Sequence, residues 1–350
     1  MDHRFWQDRR VLVTGHTGFK GSWLSLMLAN AGARVSGIAL DPPTSPSLFE
    51  VAQVASVLEN HLICDIRDLS SLSKAVEKAS PQIVFHLAAQ PLVRTSYDDP
   101  VGTFATNVVG LVNLLDCLRT APELQAVLNV TTDKVYANDE TGRRFSEKDA
   151  LGGKDPYSAS KACAELVTTS WRNSFFSQSG IEFASARAGN VIGGGDWAVD
   201  RLIPDAMRAL DCSEPLIIRS PSSTRPWQHV LEPLGGYVSL VEAMVREPTS
   251  YSRAWNFGPA LGDERTVSWV ADYIASRHND FSWRAGTESG PHEAQLLEID
   301  SSLAIDELGW HPRWSVEQAL DCTLEWYAEY RDQADMQKCC IRQISDYEVS

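Results

Sequence analysis

The sequence predicts an α/β fold, a doubly wound parallel sheet with a smaller lobe towards the C-terminus, and three observations predict it. A glycine-rich turn, Gly15-His16-Thr17-Gly18-Phe19-Lys20-Gly21, stands between an apolar run and a helical stretch. Short apolar runs then alternate with helix-length stretches up to about residue 187, the pattern of parallel strands joined by crossover helices. Beyond that the texture changes, and Gly193-Gly194-Gly195 with Pro204, Pro215, Pro221, Pro226 and Pro233 punctuate shorter segments. Such punctuation suits a lobe that closes over the strand ends.

Val11-Leu12-Val13 reads as the first strand, and Leu24, Leu26, Met27, Leu28 and Ala31 carry the apolar face of the helix after the turn. Gly32 closes that helix, and Val35 to Leu40 forms a second strand ending at Asp41. The alternation continues through a strand at Leu62-Ile63-Cys64, a helix from Leu69 to Ala79, a strand from Ile83 to Ala88 and a long helix from Thr103 to Arg119. Strands at Ala126 to Thr131 and Ile181 to Ala186 follow. The resulting organisation is a Rossmann-type domain over 1–187 with a returning segment near 229–257, a substrate-binding lobe over 188–228 and 258–330, and a tail over 331–350. The tail is polar and weakly periodic, and is expected to be a helix that frays.

Lys plus Arg total 31 against 46 acidic residues, a net charge of −15, which repels phosphate polymers and anionic membranes over most of the surface. Neither nucleic acid nor a membrane is expected as a partner. The seven cysteines are odd in number and show no C-x-x-C spacing, which argues against a disulfide framework and a zinc site. No metal is expected. The opening Met1-Asp2-His3-Arg4-Phe5-Trp6 lacks a basic segment followed by an apolar run, so a cytoplasmic protein is the expectation.

The glycine turn sits directly between strand and helix, the context that gives this spacing its meaning. Glycine permits a tight turn and close backbone approach, and the free N–H groups at the helix start favour a diphosphate. Asp41, at the end of the second strand, is placed to accept from a ribose 2′-hydroxyl and to repel a 2′-phosphate, which favours NAD over NADP. Asp65, after the third strand, either contacts the adenine or caps the following turn. Tyr157 and Lys161 are four apart, so a helix places both on one face. There an ammonium lowers the pKa of a phenol and makes it a usable base. Thr132, Asp133 and Lys134 emerge at the carboxyl end of a strand, where doubly wound sheets bind ligands.

The turn, Leu87-Ala88-Ala89-Gln90, Thr132-Asp133-Lys134 and Tyr157/Lys161 together resemble the extended short-chain dehydrogenase/reductase superfamily. More narrowly, the run from Gly15 to Trp23, Asp155-Pro156-Tyr157-Ser158, the run from Arg187 to Trp197 and the run from Arg225 to Leu234 resemble the CDP-glucose 4,6-dehydratases, over nearly the whole chain. The resemblance implies an internal redox dehydration of CDP-glucose with NAD. It makes Tyr157, assisted by Thr132 and Lys161, the group that takes the 4-hydroxyl proton, and Asp133 the acid that protonates the departing C6 hydroxyl. Lys134 stands where the dTDP-glucose relatives carry a glutamate, and it serves as the C5 base only if it is neutral.

The resemblance also adds Thr17, Phe19, Lys20, Ile66, Leu87, Ala88 and Ala89 to Gly15, Gly18, Gly21, Asp41 and Asp65 as cofactor contacts, with Tyr157 and Lys161. It implies substrate contacts at Gln90, Asn190, Arg219, Arg225, Gln228, His229, His292 and Glu293, the two arginines supplying local positive charge in an acidic protein. A homodimer is implied, through a four-helix bundle of the helices near Val101 to Arg119 and Tyr157 to Phe176. Two other readings compete: a nucleotide-sugar 4-epimerase, which shares Tyr157/Lys161 but needs no acid for water loss, and a non-catalytic NAD-sensing protein, which would tolerate loss of Thr132, Tyr157 and Lys161.

Overall fold

The structure, a computed structural model, describes residues 1–286 and 297–350. Aliphatic runs too short for a helix form the central strands: Arg10–Thr14 (β1), Arg34–Ala39 (β2), Asn60–Ile63 (β3), Ile83–His86 (β4), Ala126–Val130 (β5), Glu182–Ala188 (β6) and Ala254–Phe257 (β7). They make one sheet in the order β7-β6-β5-β4-β1-β2-β3, and every pairing is parallel. Thr14 lies opposite Ile38 on one side and His86 on the other, so the carboxyl ends of the inner strands are level and their loops open on a single edge. The order reverses between β1 and β4, which creates the crevice in which such sheets bind ligands.

β5 and β6 are buried along their whole length, as parallel strands covered on both faces must be. One face is covered by Phe19–Asn30 (α1), which buries Trp23, Leu26 and Met27. The other is covered by Leu69–Ala79 (α2), Pro100–Leu118 (α3) and Pro156–Trp171 (α4), with Leu72, Leu111, Leu115 and Ala164 in its core. Helix α3 begins three residues before the expected Thr103, with Pro100 in its first turn and Asp99 as its cap. It contains a π-turn at Ala105–Val109. It is long and apolar enough to cross a bilayer, and here Leu111, Leu114, Leu115 and Leu118 are buried in the core beside the sheet.

The lobe is built from shorter pieces: Leu202–Cys212 (α5) and paired two- and three-residue strands such as Leu216–Ile218 with Trp283–Ala285 and Thr224–Arg225 with Arg265–Thr266. Leu231–Arg246 (α6) leads the chain back to β7 and the main sheet. Val316–Arg331 (α7) starts at a capping box made by Ser315 and Gln318. The last segment, expected to fray, is instead a docked helix, Met336–Val349 (α8). Its Met336, Cys339, Cys340, Ile344 and Tyr347 recur at helical spacing and are buried, and Tyr347 donates to Glu232 at 3.3 Å. Charged residues between those positions hide the stripe from a composition-based reading.

Candidate active site

The loop after β1 is a cradle that side chains would fill. Gly15 holds φ +77°, and a Cβ there would meet the backbone N of Ala88 at 2.7 Å; at Gly21 it would meet the carbonyl oxygen of Gly15 at 2.1 Å. Gly18 gives α1 no side-chain cap, so the first-turn N–H groups of Phe19, Lys20 and Gly21 face the loop mouth, the arrangement a diphosphate requires. Thr17 Oγ1 donates to the Leu40 carbonyl at 2.8 Å, which ties the turn to the end of β2, where Asp41 is exposed. Thr14 Oγ1 accepts from the N–H groups of both Leu87 and Ala88 at 3.2 Å and draws the Leu87-Ala88-Ala89 segment beside the glycine turn. These residues fit a dinucleotide.

Two of the implied cofactor contacts are otherwise engaged. Asp65 accepts from the Arg67 backbone at 2.9 Å and pairs with its guanidinium. Ile66 packs its side chain under Gly110 of α3, where an added Cβ would lie 2.6 Å from it, so only its backbone is available to a ligand.

At the end of β5 the chain turns sharply through Asp133–Val135, and Thr132 caps that turn. Thr132 Oγ1 donates to Asp133 Oδ1 at 2.9 Å, while Asp133 Oδ2 is buried with no hydrogen-bond partner among the described residues. Burial raises the Asp133 pKa against the opposing pull of Lys134, Thr132 and Arg225. The group is held towards its protonated form, as a general acid must be. Lys134 is half-buried and lines a cavity with Tyr136, Asn138, Lys154, Asp155 and Leu297.

Helix α4 starts at Pro156 with Asp155 as its cap and carries Tyr157 and Lys161 into the same chamber, both buried. Burial pushes the Tyr157 phenol up to about 12, against the Thr132 hydrogen bond and the Arg201 charge, while Asp133 adds to the rise. Lys161, expected to act directly on the phenol, donates instead to the Val130 carbonyl at 3.2 Å. Burial lowers its pKa to about 8, with Glu165 opposing. Lys20 enters from α1 with its ammonium 5.9 Å from the centre of the Tyr237 ring. Burial lowers it to about 7, helped by Arg201 and Lys161 and opposed by Asp133. The charges of Lys134, Arg225 and Lys20 converge on the Asp133 carboxyl, and Tyr237 brings a buried hydroxyl without a partner among the described residues.

Of the implied substrate contacts, Asn190 is half-buried just beyond β6, and Arg225 projects its charge onto Asp133. Arg219 binds Asp200 at 2.7 Å, where Arg94 joins it at 3.4 Å. Three other expected contacts are engaged with protein groups in this structure. The half-buried Gln90 carboxamide bonds to Leu92 in its own loop and to Thr103 on α3. Gln228 is 2% exposed and donates to the Phe257 carbonyl. His229 is fully buried between Trp23 and Trp314. His292 and Glu293 lie outside the described residues. Sequence reasoning missed Arg94 and Arg201; the available signal was two basic side chains beside the strand-end segments of an acidic chain.

With the geometry in place, comparison with known proteins assigns the chain its relatives. The family model of GDP-mannose 4,6 dehydratase matches residues 12–323. A CDP-glucose 4,6-dehydratase of Salmonella typhimurium is 49% identical over 353 residues, covering 99% of this chain and 98% of that protein. A dTDP-glucose 4,6-dehydratase of Xanthomonas campestris pv. campestris is 27% identical over 340 residues, covering 90% and 92%. Among solved structures, an epimerase of Methanothermobacter thermautotrophicus superposes with a TM-score of 0.80 at 24% identity, covering 96% of both chains. A dTDP-glucose 4,6-dehydratase of Bacillus anthracis in complex with NAD superposes with a TM-score of 0.73 at 22% identity, covering 93% of this chain and 99% of that one.

Proposed function

The chain belongs to the GDP-mannose 4,6-dehydratase family, and from that premise we propose that it converts CDP-glucose to CDP-4-keto-6-deoxyglucose with NAD as its cofactor. The observation that carries this reading is the buried Asp133 carboxyl, whose Oδ2 has no partner among the described residues, in electrostatic reach of Tyr157. A carboxyl whose pKa burial raises, in the chamber of a tyrosine–lysine pair, serves the loss of water, which a 4-epimerase does not perform. The Salmonella relative supplies the sugar-nucleotide class.

NAD, when bound, supplies the acceptor for a hydride from C4 and its return to C6. Gly15, Gly18 and Gly21 hold its diphosphate, with Asp41 at the adenosine ribose. Tyr157 takes the proton of the 4-hydroxyl, and the cations Lys161 and Arg201 stabilise the phenolate that results. Asp133 gives its proton to the C6 hydroxyl as water leaves across C5 and C6. Lys134, next to Asp133 in the chain, takes the C5 proton as a neutral amine and gives it back to C5 as the hydride returns to C6. Arg225, with Arg94 and Arg219 around Asp200, meets the diphosphate of the sugar nucleotide. Val101, Phe104 and Val109 on α3 and Leu166 on α4 are exposed apolar residues suited to a homodimer interface made by these helices.

The test is to incubate the purified protein and NAD with CDP-, dTDP-, UDP- and GDP-glucose and follow the alkaline absorbance of a 4-keto-6-deoxy product. CDP-glucose is expected to react, and the Tyr157→Phe variant to give no product. A C4 epimer in place of the keto sugar would overturn the reading in favour of the epimerase.

A further inference from the structure

One turn beyond Lys161 the same face of α4 carries Glu165, so Tyr157, Lys161 and Glu165 form a row at i, i+4 and i+8. Glu165 has no route to solvent. Its Oε1 accepts from Thr131 Oγ1 and from Arg187 Nε at 3.0 Å, and its Oε2 accepts from Ser185 Oγ at 2.7 Å and Arg187 Nη2 at 2.8 Å. Arg187, on β6, continues the network by donating to the Tyr136 hydroxyl at 2.9 Å, which donates to Asn256 Oδ1 at 2.6 Å. Asn256, on β7, donates to the carbonyls of Phe145 and Asp300 at 2.9 and 3.0 Å. A carboxylate in the core beneath the chamber is thereby anchored to two strands and to the segment that leads into the lobe.

The groups around Lys161 make this carboxylate functional. Lys20 reaches towards Lys161 from α1 and His86 from β4, and burial and Lys161 disfavour the charged form of both. Tyr157 precedes it on α4. The only hydrogen-bond acceptor of Lys161 among the described residues is the Val130 carbonyl. Burial favours a neutral amine, and the Glu165 charge opposes it. Arg187 in turn holds Glu165 below its ordinary carboxylate range, although burial pulls the other way.

We propose that Glu165 is a positioning residue of the reaction: locked in its ionised form by Arg187, it supplies the negative field that keeps Lys161 an ammonium beneath Tyr157. The inference rests on Tyr157 and Lys161 acting as proposed above, but its first test does not. The sign is fixed: burial takes Lys161 down to about 8 with Glu165 in place, and without that charge the ammonium is lost at a lower pH.

Glu165→Gln alone strands a buried guanidinium and is expected to unfold the chain, so the double variant Glu165→Gln/Arg187→Gln carries the test, with Glu165→Asp as the charge-retaining control. The Lys161 ionisation is read directly by 13C NMR of reductively methylated lysines in the protein without ligands, assigned with Lys161→Arg. In the double variant it is expected to move down by about one pH unit, and the alkaline limb of the rate with it, so that the rate at pH 8.5 relative to pH 6.5 falls about sixfold. Glu165→Asp is expected to keep both near their native positions. An unmoved Lys161 titration in either folded variant that lacks the Glu165 charge, or a rate lowered equally at every pH, would overturn the proposal. A moved titration without dehydratase activity would leave it standing and reject the function instead.

Discussion

Two clusters of buried charge lie within two turns of α4, and they are built on opposite principles. In the lower one every oxygen of Glu165 is hydrogen-bonded and the charge is matched by Arg187. In the upper one Asp133 keeps an oxygen without a partner and Lys20 keeps an ammonium without an ion pair among the described residues. A buried polar group left unsatisfied costs stability. The sheet carries that cost where protons are exchanged, and it is completely satisfied one layer below. On the proposed mechanism the upper cluster is the place where a substrate completes the hydrogen bonding, and the lower one is its foundation.

The largest effect that would sharpen this contrast is on stability. Arg187→Met leaves Glu165 buried without its cation, and breaking a buried pair in this way destabilises by ~3–5 kcal/mol. Chemical denaturation of the purified variant is expected to show a midpoint far below that of the parent. A change within about 0.5 kcal/mol, the range of an ordinary surface substitution, would break the comparison, because the lower cluster would then be no foundation.

The upper cluster is expected to behave in the opposite sense. Asp133→Asn removes the acid and should lower the dehydration rate about a hundredfold, the range of a general acid. It should not destabilise. Burial raises the Asp133 pKa in the fold, so the folded chain holds a proton that the unfolded chain releases, and this group's contribution to stability falls as pH rises. The asparagine has no such dependence. The variant is therefore expected to match the parent in acid and to exceed it at neutral pH, measured as denaturation midpoints across the pH range.

How far this arrangement was legible in the sequence depended on whether the constraint was local. Gly15, Gly18 and Gly21 announce a cradle because the backbone conformation and close approach they permit are excluded for other residues. Tyr157 and Lys161 share a face because helical spacing makes them do so. Helical spacing gives Glu165 the same face, but its meaning depends on Arg187 on another strand, and no spacing on α4 reveals that. Gln228 and His229 sit in a motif that matches ligand-binding relatives, yet a motif does not distinguish a side chain turned into the core from one turned towards the cleft. Arg201 was missed for the same reason from the other side: its value to Tyr157 comes from the fold bringing two distant loops together.

Glu232 provides the smallest and most discriminating test, because it is intermediate between the two clusters. It lies on α6 and accepts from the backbone N–H groups of Arg313 and Trp314 at 3.0 and 2.7 Å and from the Tyr347 hydroxyl at 3.3 Å, but it has no ion-pair partner among the described residues. Hydrogen bonds without a matched charge leave it at an intermediate value: burial raises its pKa to about 7 against those three donors, whereas Glu165 is held low. The folded chain therefore binds a proton at Glu232 that the unfolded chain has already lost above about pH 4.5. Stability from this group is present at low pH and declines as pH rises towards about 7, by roughly 3 kcal/mol. Glu232→Gln keeps an acceptor for the backbone donors and removes the titration, so the difference between variant and parent is expected to grow between pH 5 and pH 8. A constant difference over that range would show that hydrogen bonds alone hold a buried carboxylate ionised here, and the contrast between Glu165 and Asp133 would then have to be assigned to something other than the presence of a paired cation.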